Sequence, residues 1–322
     1  MRAAIRLKYG PPEVLSIKEV AMPTPKDDEV LIKVYATTVN RTDCGILMAK
    51  PFIMRFFTGL FKPKSPITGT DFAGKIEAVG INVSKFKAGD KVWGFNDTGV
   101  GTHAEYISIS ENSPLLIIPE NITYQQAAAS PEGAHYAYNM ITKMKIKAGD
   151  AILVNGATGA IGSASVQLLK YFGATVTAVC NTKNIELVKS LGADKVIDYL
   201  VEDFTKGTQK YHYVIDAVGK STFAKCKPLL YPGGIYMSTD LGPGAQNIYL
   251  PLLTRFSSKR TIFPIPTDIK RSLLLIKTLL ETSQFKPVID RTYPLEKIAE
   301  AYNYVISGQK TGNVLLTFEA SS

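Results

Sequence analysis

Glycines at fixed spacing are the first residues here that could do chemistry. The run "AILVNGATGAIGSASVQLLKYFGATVTAVCNTKN", Ala151 to Asn184, places Gly156, Gly159 and Gly162 between a short apolar run and residues whose apolar positions recur at helical spacing. Such glycines let the chain turn sharply and let a bulky anion approach its amides. A helix starting there adds N–H groups without intrahelical partners and the positive end of its dipole. A pyrophosphate suits that environment. In register the turn reads A-x-G-x-x-G from Ala157, with one more glycine ahead, a variant of the dinucleotide fingerprint. Gly156, Thr158, Gly159, Ala160, Ile161 and Gly162 form the candidate cradle. The competing use of such glycines is close packing of a helix on a strand.

The next strand, Thr175 to Cys180, bears on which dinucleotide fits. Sites for NADH usually carry an acid about 20 residues past the glycine turn, where it would repel a 2′-phosphate. No acid occurs between Gly156 and Glu186, and "CNTKN" offers Asn181, Thr182 and Lys183 instead. These donors and one positive charge favour NADPH as cofactor. The alternative is that Asn181 or Thr182 merely caps the helix carrying Leu187, Val188 and Leu191.

The elements that must position these residues fall in two patterns. From Ala151 onward strands alternate with helices, with further strands expected at Lys195 to Asp198, Tyr213 to Asp216, Gly234 to Met237 and Thr261 to Ile265, a doubly wound parallel sheet. The first third reads as β structure, in runs such as "EVLIKVYATTV" and "DKVWGF", and turns helical around Ile122 to Thr142. "RSLLLIKTLLETS" is an amphipathic helix. "GNVLLTF" is a strand the parallel sheet does not need, so the chain is expected to return to its β domain.

The sequence of 322 residues, 45% hydrophobic, suffices for two domains, and no apolar run long enough to span a membrane is present. The first thirty residues lack the pattern of a signal or transit peptide, which makes the cytoplasm the expected compartment. Cys44, Cys180 and Cys226 are scattered, against a disulfide framework. The net charge of +9 is dispersed, without an arginine-rich tract or an RNA-binding signature, so no nucleic-acid partner is expected.

The motifs together resemble the medium-chain dehydrogenase/reductase superfamily, and within it the zinc-independent quinone oxidoreductase-like branch. The resemblance rests on "KYGPPEVLSIKEVAMPTPKDDEVLIKVYATTVNRTD", "GTDFAGKIEAVG", "KAGDKVWGF", "GTHAEYI", "IKAGDAILVNGATGAIGSASVQLLK", "SLGADKVIDY" and "GQKTGNVLLT". It implies an α/β fold: a GroES-like β-barrel catalytic domain, residues 1–121 and 270–322, around a Rossmann cofactor domain, residues 122–269. It also adds Tyr199, Ala217, Val218 and Asn313 to the cofactor candidates, and implies a homodimer, for which an exposed edge of the cofactor sheet offers a pairing surface.

Zinc-dependent members carry a cysteine in the segment matching "VNRTDCG" and a His-Glu pair in that matching "GTDFAG". Here Asn40 to Asp43, Thr70 and Asp71 stand there, so no metal is expected. Without a Lewis acid, electron-poor acceptors such as quinones and α,β-unsaturated carbonyls suit hydride transfer, the developing oxyanion needing only donors and a proton. Asn40 is a candidate donor to the acceptor oxygen, and Asp43 a candidate to hold a neighbouring donor or water. Both are equally readable as turn or cap residues. His135 and Tyr136, in "PEGAHYAYNM", are candidate proton donors, with packing as the alternative for the histidine. Reduction of simple aldehydes or ketones, or a non-catalytic NADPH-binding or nucleic-acid-binding role on the same fold, remain the alternative functions.

One stretch fits none of this. "KPFIMRFFTGLFKPK", Lys50 to Lys64, would form a broad apolar arc on a helix, with only positive charge around it. Its readings are a lid over the substrate channel, a helix touching anionic lipid, or packing against the fold.

Overall fold

The computed structural model describes residues 1–318. It divides into two compact units, residues 1–132 with the chain from 269 onward, and residues 133–268.

The first unit begins with β1 (Arg2–Ile5), antiparallel to β2 (Ser16–Glu19). There follow β3 (Glu29–Val39), α1 (Arg41–Met48), α2 (Met54–Thr58), β4 (Asp71–Val79), β5 (Lys91–Phe95), β6 (Tyr106–Ser110), β7 (Leu115–Ile117) and α3 (Tyr124–Ala128). The β runs read from sequence are present, with α1 and α2 interrupting them. β3 is the hub of a seven-stranded sheet, pairing with β4 and β6, and its Val30, Ile32 and Val34 join Phe72 and Ile76 of β4 in the core. α3 packs on β3 and β4, and its Tyr124 ring stacks on Tyr35 at 4.7 Å. The division between units therefore falls after Glu132, inside α4 (Pro131–Thr142), later in the chain than the change of hydrophobic pattern at Ile122.

The second unit continues with β8 (Ala151–Asn155), α5 (Ala160–Tyr171), β9 (Thr175–Cys180), α6 (Ile185–Ser190), β10 (Lys195–Asp198), β11 (Tyr211–Asp216), α7 (Phe223–Cys226), β12 (Leu230–Ser238), α8 (Gln246–Leu253) and β13 (Arg260–Ile262). Its strands lie in the order β10-β9-β8-β11-β12-β13, all parallel. That is the doubly wound order, and it reverses direction between β8 and β11, where such sheets open a crevice for a ligand. β13 stops at Ile262 rather than Ile265, because Pro264 has no N–H to give a ladder. Leu153, Val179, Val214 and Tyr236 form part of the core beneath the sheet's helices.

From residue 269 the chain rejoins the first unit as α9 (Ile269–Glu281), β14 (Ile289–Pro294), α10 (Ile298–Ile306) and β15 (Asn313–Thr317). β15 pairs antiparallel with β3, setting Val314 opposite Val39 and Leu316 opposite Thr37, and buries Val314, Leu315 and Leu316. The apolar run "GNVLLTF" thus completes the β unit.

Candidate cofactor cradle and buried polar cluster

The cradle is built where β8 meets α5. Gly156 has φ +77°, which an L side chain seldom adopts, and a Cβ at Gly162 would lie 2.0 Å from the Gly156 carbonyl oxygen. Both glycines are therefore required by the turn itself. At Gly159 an added Cβ would meet nothing nearer than 3.9 Å, so the turn is open on that side. Gly159 is also the N-cap of α5 and, lacking a side chain, caps no amide. The first-turn N–H groups of Ala160, Ile161 and Gly162 keep their capacity for an external acceptor. Open space, uncapped amides and a helix dipole at one point fit a dinucleotide pyrophosphate.

The neighbouring strand ends complete the cradle. Ala217 N donates to the Asn155 carbonyl at 3.0 Å, and a Cβ on Gly156 would strike the Val218 side chain, so Ala217 and Val218 adjoin the glycine turn. Asp216, fully buried, fixes this loop by accepting from Asn155 Nδ2 at 3.0 Å, Ser221 N at 2.8 Å and Tyr236 Oη at 3.2 Å. At the end of β9, Asn181, Thr182 and Lys183 enter a single helical turn. Neither Asn181 nor Thr182 caps α6 with its side chain; Asn181 Oδ1 accepts from Asn184 Nδ2 at 2.8 Å. Tyr199 N donates to the Cys180 carbonyl at 3.0 Å, which sets its backbone beside this loop, and its side chain is half exposed. One feature of the loop was invisible along the sequence. Thr182 Oγ1 donates to Asp198 Oδ2, so a carboxylate from β10 sits next to the predicted phosphate donors.

α4 runs past the cradle. A Cβ on Gly133 would come within 2.7 Å of the Ala160 carbonyl, so this helix touches the first residue of α5. Two residues on lies His135, fully buried, with its imidazole held down to about 4 by burial and therefore neutral near pH 7. Its ring meets that of Tyr136 edge-on at 5.5 Å, and Tyr136 is partly exposed. Asn139 secures the helix by donating to the His135 carbonyl at 2.9 Å and accepting from Thr267 N at 2.8 Å.

The other candidates lie in the first unit, in a buried polar cluster where β3 ends and β4 begins. Asn40 is the N-cap of α1 in a reciprocal capping box: its Oδ1 accepts from Asp43 N at 2.8 Å, and Asp43 Oδ2 accepts from Asn40 N at 3.1 Å. Asn40 Nδ2 donates to Thr70 Oγ1 at 2.7 Å and Asp71 Oδ2 at 3.2 Å. Its polar atoms thus serve the fold, the cap reading of "NRTD". Asp71 also accepts from Thr38, through the backbone N–H at 2.7 Å and the hydroxyl. Burial still pushes Asp71 up to about 6, and raises Asp43 well above the carboxylate range, aided by the Asp71 charge. Asp43 Oδ1 has no hydrogen-bond partner among the described residues.

His103 and Glu132 belong to the same unit and were not singled out from sequence. His103 Nε2 donates to the Thr38 carbonyl at 2.9 Å, so Nδ1 is the acceptor, facing Thr68 Oγ1 at 2.8 Å, and Tyr302 Oη donates to that hydroxyl at 2.9 Å. Burial holds His103 down to about 4, so its 4.0 Å approach to Asp43 is not an ion pair near neutral pH. Glu132 is buried and raised to about 7, mainly by burial against the pull of Lys310, and accepts from Thr42 Oγ1 at 3.2 Å. An acid among the small residues of "SPEGAHYA" was its only signal; Lys310 had none. Asn313 lies in this unit too, its Nδ2 and backbone N–H both donating to Val288 O, at 3.0 and 2.8 Å.

Among the described residues no three His, Cys, Asp or Glu side chains are grouped to hold a metal. The neutral His103 spends both ring nitrogens, and burial pushes the Cys44 thiol up to about 12.

A family model for the zinc-binding dehydrogenase domain matches residues 191–316, and one for the alcohol dehydrogenase GroES-like domain matches residues 26–120. The quinone oxidoreductase of Homo sapiens is 32% identical over 98% of this chain and 97% of its own. The chloroplastic NADPH-dependent alkenal/one oxidoreductase of Arabidopsis thaliana is 31% identical, over 98% and 79% respectively. The solved quinone oxidoreductase from Coxiella burnetii matches over 99% of both chains with a TM-score of 0.88 at 24% identity, a likeness of fold.

Proposed function

The chain belongs to the medium-chain dehydrogenase/reductase superfamily, in its quinone oxidoreductase-like branch, and from that premise we propose a zinc-independent reductase that transfers hydride from NADPH to quinones or α,β-unsaturated carbonyls. The observation that carries this reading is the open, uncapped start of α5 behind Gly156 and Gly162, in a chain similar along nearly its whole length to quinone and alkenal/one oxidoreductases. When bound, NADPH supplies the hydride; the protein supplies position and protons.

Gly156, Thr158, Gly159 and the amides of Ala160, Ile161 and Gly162 would hold the pyrophosphate, with Ala217 and Val218 bordering it. Asn181, Thr182, Lys183 and Tyr199 would meet the 2′-phosphate and adenosine. Asn313 has its amide engaged with Val288, and its part in cofactor binding rests on the resemblance alone. Asn40 and Asp43 act as positioning residues that fix the start of α1. Of the pair on α4, Tyr136 is the better proton donor, because His135 is buried and already neutral. Tyr136→Phe should lower kcat about tenfold or more without changing NADPH affinity; an unchanged kcat assigns the proton elsewhere.

The three cysteines are free and buried, as suits a reducing compartment, and the cytoplasm is the proposed location. No helix among the described residues is long and apolar enough to cross a membrane. α8 exposes Ile248, Tyr249, Leu252 and Leu253, with Phe256 just beyond, and packs beside β13, which lies at one end of the parallel sheet. That combination supports a homodimer formed along this edge.

The test is oxidation of NADPH and of NADH by chelator-treated protein, with a quinone, an enone and a saturated aldehyde in parallel. Turnover of quinone or enone with NADPH, unaffected by chelator, is the expected result. Turnover of the aldehyde alone, or loss of activity on chelation, would refute it. Tight cofactor binding with no turnover would favour a non-catalytic role.

A further inference from the structure

Most of the large apolar side chains between Lys50 and Lys64 lie outside the core. Phe52, Phe56, Phe57 and Phe61 are 65%, 64%, 65% and 89% exposed, and Ile53 and Leu60 are exposed as well. Packing against the fold, one of the three uses its sequence allowed, is not what the structure shows. Only Met54–Thr58 is helical, and the segment is tied down from beneath by its polar atoms. Tyr9 Oη donates to the Gly59 carbonyl at 2.7 Å and meets Thr58 Oγ1 at 2.8 Å, while the Arg55 guanidinium lies 4.9 Å above the Tyr9 ring. The aromatic side chains are thus presented outward by an anchored segment.

The charge around them has one sign. Lys50, Arg55, Lys62 and Lys64 frame the apolar residues, and no acid occurs between Asp43 and Asp71 in a chain of net charge +9. Exposed apolar side chains interspersed with cations and free of acids are the combination that enters the boundary of a bilayer while the charges meet headgroup phosphates. We propose that residues 50–64 dock the protein on the surface of a bilayer containing anionic phospholipid. The segment is far too short to span one, so the protein lies on the membrane and binds reversibly. The proposal goes beyond the reductase reading and does not depend on it, because docking is measured without cofactor or acceptor.

Co-sedimentation of the full-length protein with vesicles tests it, comparing phosphatidylcholine alone with phosphatidylcholine containing about one third phosphatidylglycerol. Binding should be at least about tenfold stronger to the anionic vesicles and should weaken between about 0.05 M and about 0.5 M salt. Two double variants, Phe56→Ser with Phe57→Ser and Lys62→Glu with Lys64→Glu, should each lose about tenfold or more, with unchanged thermal melts. Equal binding to both vesicle types, no binding, or full binding by the charge-reversed variant would overturn the proposal. Concentration-dependent self-association abolished by the serine pair, without vesicle binding, would overturn it in favour of a protein interface.

Discussion

Glu132 is a carboxyl that the fold asks to stay protonated longer than water would. Its folded value is about 7 against an ordinary 4.5, chiefly because it is buried. As pH rises from about 4.5 to about 7, the unfolded chain gives up this proton before the folded one does, so stability falls across that window and is level above it. Glu132→Gln escapes the effect, and its stability relative to the native protein should rise over the window. Urea unfolding at a series of pH values measures this; a flat difference would mean that Glu132 is already ionised against Lys310. His103 works in the opposite sense: its contribution is full above about 6.5 and is lost as pH falls toward 4. At the cradle, Lys183→Glu should weaken NADPH far more than NADH, whereas Asp198→Asn should strengthen NADPH about two- to fivefold, by removing a carboxylate beside Thr182. Fluorescence titration of both cofactors checks the pair, and equal losses in Lys183→Glu would place the phosphate elsewhere. The Asn181–Asn184 turn was readable because its residues follow one another along the chain. Asp198 was not, since the register of β10 on β9 brings it in.

Elements were legible where a single period governed them. The β8-α5-β9 unit follows its apolar pattern, and the strand ends at Asp198 and Asp216 fall as expected. α1 was missed because "RTDCGILM" is only eight residues long and its start is fixed by a capping box, whose two side chains also read as a turn. The buried cluster was hidden for a related reason: Thr38, Asn40 and Asp71 meet only once β3 and β4 have paired. At this scale the sharpest constraint is the contact of α5 with its own turn. Gly162→Ala puts a methyl group 2.0 Å from a backbone oxygen that has no rotamer to change. The variant should lose about 1–3 kcal/mol in urea unfolding and bind NADPH more weakly. Normal affinity and stability would show slack in the turn.

At the scale of the whole molecule, the exposed face of α8 yields a prediction of assembly. Leu252→Asp with Phe256→Asp should turn a dimer into a monomer in sedimentation velocity, because both side chains are exposed, at 74% and 95%, and cover no core of their own unit. A native protein already monomeric would remove that reading. The return of the chain to its first unit has a different consequence, for the order in which the protein can be made. β3 needs β15 on one side and β4 on the other, yet the whole of residues 133–268 is synthesised between them. On the ribosome the middle unit has all its strands in hand while the Ala36–Val39 end of β3 still waits, its β15 side unpaired and the core places of Val314 and Leu316 empty. A nascent chain paused before residue 313 should therefore hold a folded middle and a sticky, protease-sensitive beginning, the state in which chaperones would find it.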